Sequence, residues 1–413
     1  MNLNSENREQ SIESNPTNPD LDFFTDEDRE YFKSKDEEQN RLSKPPEDVK
    51  VYFPAVWVFE AFTPSFIYQL KKGLINTRLV DNIYLFNRRD ILEELESMRS
   101  RTFGGSWFNA GHYSTHDSMS SRQIDLPEGI NSVSIYLHQF VPSTTIMAVQ
   151  FKFEESLNNT VEEVLRTDFR TYAKKLDKVT SFINPIKQKR KAYQSEIENL
   201  KSICTKWMSQ NFPGLFESSL IGRGHPTAEL ILLENDSLFK KGGNDWESYL
   251  NTIGFRSEFE TYRSEQLNGL YMALNEPIIA KRSSLTLSGN LNEILDEKES
   301  RGYGGENHIS SICNWADLRL HKTLSFWCMS EIAYAFDHKI KRLRDQIGEI
   351  DSSELKQALS RLNKINEEIS KLQMNALPFS KETAQSVNER HFKSEVYDFK
   401  LITEKIEQKL SLN

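Results

Sequence analysis

The order of apolar and polar residues predicts a β-sheet in the middle of the chain. Residues 133–140 and 146–153 alternate or are apolar, are rich in β-branched and aromatic side chains, and flank Pro142-Ser143-Thr144-Thr145. This pattern is typical of two antiparallel strands joined by a turn. Further strands are predicted at 49–59, with a break at Pro54, and at 228–233, 270–274 and 284–287.

Between these strands an apolar residue recurs at every third or fourth position, which predicts helices. Short helices are expected from Thr63 to Leu74 and over 89–98. A longer stripe runs from Val161 to Ile183, where Pro185 is expected to end or kink the helix, and a second helix continues to Trp207. Residues 101–122 are rich in Gly, Ser and His and predict a long loop.

From residue 309 to the end the pattern is helical. Apolar residues step by three and four up to Ile350, Asp351-Ser352-Ser353-Glu354 interrupts them, and heptad-like spacing resumes from Leu355 to Leu372. Pro378 is expected to end this helix before a last one begins. The apolar stripe can pack against the core, against itself or against a partner chain, and the sustained spacing favours a dimer or a subunit of a complex.

These patterns predict an α+β fold with three parts. Residues 1–48 are expected to be a disordered acidic tail and linker, 49–300 an antiparallel sheet core with covering helices, and 301–413 a C-terminal α-helical hairpin or bundle with coiled-coil-like spacing. Within the tail, Thr25 can cap a short helix with Asp28. The aromatic residues of 21–33 allow two interpretations, a helix that packs back on the body, which we favour, and a docking segment that folds on a partner.

Composition limits the classes of protein to which the chain can belong. The chain has 413 residues, a net charge of −9 and a mean hydropathy of −0.61, and no apolar run approaches the ~20 residues that span a bilayer. No secretory signal begins the sequence, and its three cysteines form no C-x-x-C pair, so we expect a soluble protein of the cytoplasm. Residues 1–48 carry 14 acidic and 6 basic residues, which leaves the remainder close to neutral.

Two histidines give the best candidate for an enzyme site. His112 and His116 have an H-x3-H spacing followed by Asp117, and could bind a divalent metal as cofactor if His138 supplied a third ligand. The corresponding function is a metal-dependent hydrolase that uses the 101–122 loop. The alternative is a polar surface loop that carries two histidines.

A basic segment gives a candidate for nucleic-acid binding. Residues 166–206 hold 11 Lys and Arg against 4 acidic residues, in what the pattern predicts to be two helices. The residues expected to contact phosphate are Lys174, Lys175, Lys178, Lys187, Lys189, Arg190 and Lys191. The alternatives are solvated basic faces, or a surface that the acidic tail folds over.

Two glycine-rich segments are weaker candidates for anion binding. Gly302, Gly304 and Gly305 precede the helix predicted from 309, where backbone N–H groups could hold a phosphate. The alternative, which we favour, is a flexible interdomain linker. Gly222-Arg223-Gly224-His225-Pro226 is interpreted as an ordinary turn. No catalytic signature of a known class is present.

Three functions therefore follow from the sequence, in this order. The first is a non-catalytic interaction or regulatory protein that binds a protein partner or a second copy through its C-terminal helices. The second is a nucleic-acid-binding protein that uses 166–206, and the third is the metal-dependent hydrolase.

Overall fold

The structure, a computed structural model, describes residues 25–45, 47–76, 91–100, 106–114, 125–141, 143–176, 179–212, 214–215, 225–234, 261–263, 270–275, 284–300, 309–350 and 355–388. The described helices are α1 (Asp26–Leu42), α2 (Ile67–Asn76), α3 (Ile91–Ser100), α4 (Glu155–Arg166), α5 (Pro185–Asn211), α6 (Leu291–Ser300), α7 (Ile309–Gly348) and α8 (Leu355–Asn388). The described strands are β1 (Val51–Phe62), β2 (Ser106–Ser114), β3 (Ile130–Val141), β4 (Thr144–Phe153), β5 (Tyr172–Leu176), β6 (Val179–Ile183), β7 (Thr227–Leu233), β8 (Thr261–Arg263), β9 (Leu270–Asn275) and β10 (Ser284–Asn290).

Eight of these strands form one sheet in the order β2-β3-β4-β1-β7-β10-β9-β8. Neighbouring strands are antiparallel except β7 and β10, which run parallel, so the sheet is mixed rather than purely antiparallel. The predicted hairpin is present as β3 and β4, and the α+β class is confirmed. None of the described helices is long and apolar enough to cross a lipid bilayer.

Strand β1 lies in the centre of the sheet, and its side chains separate two apolar cores. Val56 and Val58 point to the first core, whereas Trp57 and Phe59 point to the second. Because both faces are covered, the strand is apolar at nearly every position instead of alternating with polar residues.

Helices cover both faces of the sheet. The first core is closed by α2, α3, α4 and α5, and the second by α6, α7 and α8. The C-terminal helices thus share a core with the strands of the predicted 49–300 domain.

Pro54 does not break β1 but shifts its register with β7 between Tyr52 and Ala55. Proline has no N–H to give to a neighbouring strand, so a local irregularity is expected here. The amide of Asn158, on α4, replaces the lost pairing: it accepts from the N–H of Phe53 and donates to the carbonyl of Val51 at 3.0 Å.

Three further predictions about secondary structure were wrong. Part of the 101–122 loop is the edge strand β2, because Phe108 and Tyr113 reach the first core and pair the segment with β3. The helix predicted to end at Ile183 stops at Arg166, and the antiparallel hairpin of β5 and β6 follows it. The third is the end of α8, which continues through Pro378 to Asn388.

The acidic N-terminal segment contributes an ordered helix, α1, that extends through the predicted linker to Leu42. Thr25 and Asp28 form the expected capping box. The helix packs against the body: the Asp36 carboxylate accepts from the N–H and the hydroxyl of Thr171 at 2.7 and 2.5 Å, and the Phe32 ring stacks on Phe182 at 5.6 Å. These contacts agree with the interpretation that the helix packs back on the body.

Candidate functional site

A row of polar side chains lies between α7 and the sheet, inside the otherwise apolar second core. Asn314, Asp317, His321 and Ser325 are three or four positions apart, which places them on one side of α7. We call them the α7 polar stripe. Asp317 and Ser325 are buried, His321 is partly exposed and Asn314 is exposed.

Strands β1 and β4 supply partners to the first half of the stripe. The indole N–H of Trp57 donates to Oδ1 of Asp317 at 2.8 Å, and the ammonium of Lys152 donates to Oδ1 of Asn314 at 2.5 Å. The side-chain amide of Gln150 donates to the carbonyl of Cys313 at 2.9 Å. These bonds connect α7 to the centre of the sheet.

Burial shifts the pKa values of Asp317 and Lys152. It raises the pKa of Asp317 to about 7, although the Trp57 hydrogen bond and the Lys152 charge oppose the increase. Burial also lowers the pKa of Lys152. Asp317 therefore exchanges its proton near neutral pH, and its Oδ2 has no hydrogen-bond partner among the described residues. Perturbed carboxylates of this kind are enriched at functional sites but also occur in structural cores.

Strand β3 supplies His138 to the second half of the stripe. Its Nδ1 lies 2.9 Å from the hydroxyl of Ser325, and that hydroxyl donates to the carbonyl of His321 at 2.6 Å. Burial, followed by repulsion from the nearby His321, lowers the pKa of His138 to about 3. His138 is thus neutral at pH 7, and its Nε2 has no hydrogen-bond partner in the described part of the chain.

The stripe approaches the surface at the edge strand β2. Trp107 and His321 are both partly exposed, and their ring centroids are 5.8 Å apart. The His138 ring lies 6.2 Å behind His321, in an edge-on arrangement. Tyr136 packs edge-on against Trp107 at 5.5 Å. Two imidazoles and two aromatic rings therefore line the end of the stripe.

The structure places the histidines of the predicted metal site in different surroundings. His112 lies on β2, where its Nδ1 is 3.0 Å from the hydroxyl of Ser134, and His116 lies outside the described residues. His138 is four residues beyond Ser134 on β3, about 13 Å along the strand, so it is not adjacent to His112. Within the described residues no three His, Cys, Asp or Glu side chains converge on one point.

The predicted nucleic-acid surface is divided between exposed and buried cations. Lys187 and Lys191 are exposed on α5, whereas Lys189 is fully buried and donates to the hydroxyl of Ser43 at 3.0 Å. Burial, followed by repulsion from Lys44, lowers the pKa of Lys189 to about 7. Arg190 is partly buried, Lys174 and Lys175 belong to strand β5, and Lys178 lies outside the described residues. The segment that was predicted as two helices thus contains a β-hairpin, and Lys189 does not lie on a solvated face with Lys187 and Lys191.

A second buried polar group lies on the opposite face of the sheet. Lys201 of α5 forms an ion pair with Glu229 of β7 at 3.1 Å, and the hydroxyls of Ser284 and Thr286 donate to the same carboxylate. His225, from the predicted turn, lies 3.1 Å from the carboxylate of Glu60. Gly302, Gly304 and Gly305 lie outside the described residues.

The segments flanking residues 351–354 carry a different kind of surface. Within 338–350 and 355–365 there are seven basic residues against two acidic ones. Ile347 is 43% exposed and Leu359 is 52% exposed, in helices whose other large apolar residues are mostly buried. Five exposed cations here form no ion pair within the described residues, namely Lys341, Arg342, Lys356, Arg361 and Lys364. We call this surface the basic helix end.

Sequence reasoning did not single out the α7 polar stripe. The signal that could have found it is the i, i+4, i+8 spacing of Asp317, His321 and Ser325 within an apolar helix. Their strand partners are far away in the sequence, so no local pattern joins them.

Comparison of the chain with models of protein families, with curated proteins and with solved structures finds no match, so the case for a function depends on this geometry alone.

Proposed function

We propose that this chain is a non-catalytic binding protein whose basic helix end takes up an acidic, amphipathic helix of a partner protein. The observation that supports this is the juxtaposition of two exposed aliphatic side chains, Ile347 and Leu359, with five exposed cations that form no ion pair with any residue the structure describes. An amphipathic helix with acidic flanks would bury the aliphatic residues and pair with the cations.

The basic helix end belongs to an antiparallel hairpin that we propose for α7 and α8. Ile340 and Leu343 of α7 lie in the same apolar cluster as Ile365 and Leu372 of α8, with six residues between the two helices in sequence. Helices that pack together across so short a connection run antiparallel. In such a hairpin Ile347 and Leu359 both lie within about two turns of the connection.

The parts of α7 and α8 that lie farther from their connection already make contacts within the protein. Trp327 of α7 donates its indole N–H to the carbonyl of Thr227 at 3.0 Å, and Asn375 of α8 pairs with the hydroxyl of Thr63 at 2.9 Å. These contacts anchor α7 to strand β7 and α8 to the residue that follows β1. The heptad-like stripe therefore packs largely against the protein's own core, and the surface offered to a partner is the basic helix end.

Nucleic acid is the second candidate, because exposed cations also suit a phosphate backbone. The exposed Ile347 and Leu359 favour a protein instead, since phosphate contacts need no aliphatic surface. Helix α5 is a weaker candidate for binding nucleic acid than the basic helix end, because its Lys189 and Lys201 make contacts inside the protein.

The test is the binding of a fluorescent peptide, built as an amphipathic helix with leucines on one face and glutamates on the other, measured by anisotropy. The variant K341E/R342E/R361E/K364E is expected to weaken binding more than about 10-fold, since each lost surface contact contributes up to about 1 kcal/mol. The matched control K187E/K191E reverses two exposed cations of α5 and should bind as the wild type does. Equal weakening in both variants, or no binding by the wild type, would refute the proposal.

A further inference from the structure

We infer, on the basis of the proposed function, that the partner of the basic helix end is a second copy of this chain. The second copy docks through an acidic aromatic surface of α1 and the neighbouring strand β6. We call this surface the α1 patch, and its four exposed residues are Glu27, Glu30, Tyr31 and Phe182.

The two aromatic residues give the α1 patch an apolar centre. Tyr31 is 61% exposed and Phe182 is 47% exposed. Both rings lie against the partly exposed Phe32, at centroid distances of 5.8 Å for Tyr31 and 5.6 Å for Phe182. Aromatic side chains are enriched in protein–protein interfaces. The patch therefore offers a partner two neighbouring ring surfaces that this copy leaves largely in contact with solvent.

The acidic residues give the α1 patch its charge. Glu30 and Tyr31 follow Glu27 by three and four positions, which places the three side chains together on one side of α1. Glu27 and Glu30 are exposed and form no ion pair with any residue in the described part of the chain. Helix α1 as a whole has seven acidic residues and four basic ones. It is thus an acidic helix with an exposed ring, which is the chemical type of partner proposed for the basic helix end.

The α1 patch and the basic helix end are complementary in charge and in apolar character. The basic helix end has five exposed cations near Ile347 and Leu359, and the α1 patch has two exposed carboxylates beside Tyr31. Docking would bury the aliphatic side chains against the rings and bring opposite charges together. Two basic helix ends, or two α1 patches, would repel each other. The complementarity therefore favours a contact between unlike surfaces.

In one copy these two surfaces belong to opposite sides of the sheet. Helix α1 is joined to α5 through Lys189, which donates to the hydroxyl of its capping residue Ser43 at 3.0 Å, and α5 packs in the first core. Helices α7 and α8 pack in the second core. The complementary contact therefore joins two copies head to tail, an arrangement that produces open chains or closed rings.

The test is sedimentation velocity of the full-length chain at protein concentrations from about 1 to 100 µM, because small interfaces are weak and transient. The wild type is expected to shift to larger species as its concentration rises. Raising NaCl from about 0.05 to 0.5 M should return it to the monomer, since salt screens exposed charges. The variants E27K/E30K and K341E/R342E/R361E/K364E should each remain monomeric where the wild type associates.

Mixing these two variants separates a lost surface from a lost fold. E27K/E30K keeps an intact basic helix end, and K341E/R342E/R361E/K364E keeps an intact α1 patch. An equimolar mixture should therefore associate where each variant alone does not, whereas a misfolded variant would not be rescued by mixing.

Two further variants complete the test. Tyr31→Ser leaves the charge unchanged and should weaken association by about 10-fold, because it removes the apolar surface of one ring. The matched control E93K/E163K reverses two exposed acidic residues of α3 and α4, and should associate as the wild type does.

Two results would overturn the inference. The first is a wild type that stays monomeric up to about 100 µM while the acidic peptide binds to its basic helix end, which would leave the proposed function standing and make the partner a different protein. The second is association that persists in both charge-reversal variants or is lost equally in E93K/E163K. A wild type that neither associates nor binds the peptide would refute the proposed function as well.

Discussion

Trp57 and Asp317 are 260 positions apart in the sequence and 2.8 Å apart in the structure, joined by a hydrogen bond from the indole to the carboxyl group. The bond connects the central strand β1 to the long helix α7 inside the second core. Both side chains are completely buried, so the pair is shielded from competition with water. Through this bond α7 is attached to the sheet and packs in the same core as its strands.

Replacing Asp317 by Asn should remove a pH dependence of folding. Between pH 3.8 and about 7 the folded chain keeps a proton on Asp317 that the unfolded chain has released. In that window the free energy of unfolding contributed by this group falls as the pH rises, by at most about 1.4 kcal/mol per pH unit. The asparagine oxygen still accepts from Trp57.

Urea unfolding at several pH values between 4 and 8 measures this effect. The stability of Asp317→Asn relative to the wild type is expected to increase with pH across the window and to level off above it. Parallel pH profiles for the two proteins would show that the carboxyl group ionises as readily in the fold as outside it.

His138→Asn should act in the opposite sense. The folded pKa is about 3 against an ordinary value of 6.5, so between these values only the unfolded chain is protonated. The stability that His138 contributes is complete above pH 6.5 and is lost as the pH falls towards 3. The variant should be less stable than the wild type by about 1–3 kcal/mol at pH 7, and this difference should shrink at pH 4.

Thermal unfolding followed by circular dichroism at the two pH values provides the measurement. Because Asp317 and His138 titrate in opposite senses, each variant is compared with the wild type at the same pH. A His138→Asn deficit that stays constant from pH 7 to pH 4 would contradict the buried, neutral state of the imidazole.

The ion pair of Lys201 and Glu229 should show strong coupling. The Lys201 side chain is 5% exposed and that of Glu229 is fully buried, so Lys201→Met leaves a buried carboxylate with only hydroxyl donors. Loss of about 3–5 kcal/mol is expected from this single change. The double variant Lys201→Met/Glu229→Gln should recover part of it, and a cycle of urea-unfolding measurements gives the coupling energy. Simple additivity would mean that the two charges do not interact.

Helix α1 should be released by Asp36→Ala. The change leaves the N–H and hydroxyl of Thr171 without their acceptor, at a local cost of about 1–3 kcal/mol. Limited trypsin digestion should then cleave at Arg29 and Lys33 faster than in the wild type. Glu37→Ala, at the exposed neighbouring position, is the control. Equal rates in the two variants would show that Asp36 does not hold the helix.

Elements set by local sequence were predictable. The β3–β4 hairpin, strand β7 and the Thr25 capping box each follow from a few adjacent residues whose pattern suits only one structure. The hairpin of β5 and β6 was missed because its apolar residues also satisfy a helical spacing. Its actual boundary is Pro185, which begins α5 with Asn184 as the capping residue.

The candidate site could be predicted only in part. The basic residues of 338–365 are visible in the sequence, but their exposure depends on which faces of α7 and α8 pack together. The parallel pairing of β7 with β10, and the meeting of His138 with Ser325, join segments that are far apart in the chain. Such contacts are decided by tertiary packing, which local spacing does not encode.

The most direct test of the proposed function removes the aliphatic part of the basic helix end and leaves its charge intact. Ile347→Ser/Leu359→Ser should weaken binding of the acidic amphipathic peptide by about 10-fold or more, because burial of these side chains on binding contributes about 25 cal/mol per Å². Binding of duplex DNA, measured in the same anisotropy assay, should not change. If the peptide affinity is unaffected, or if only DNA binds to the wild type, the basic helix end is not a protein-binding surface.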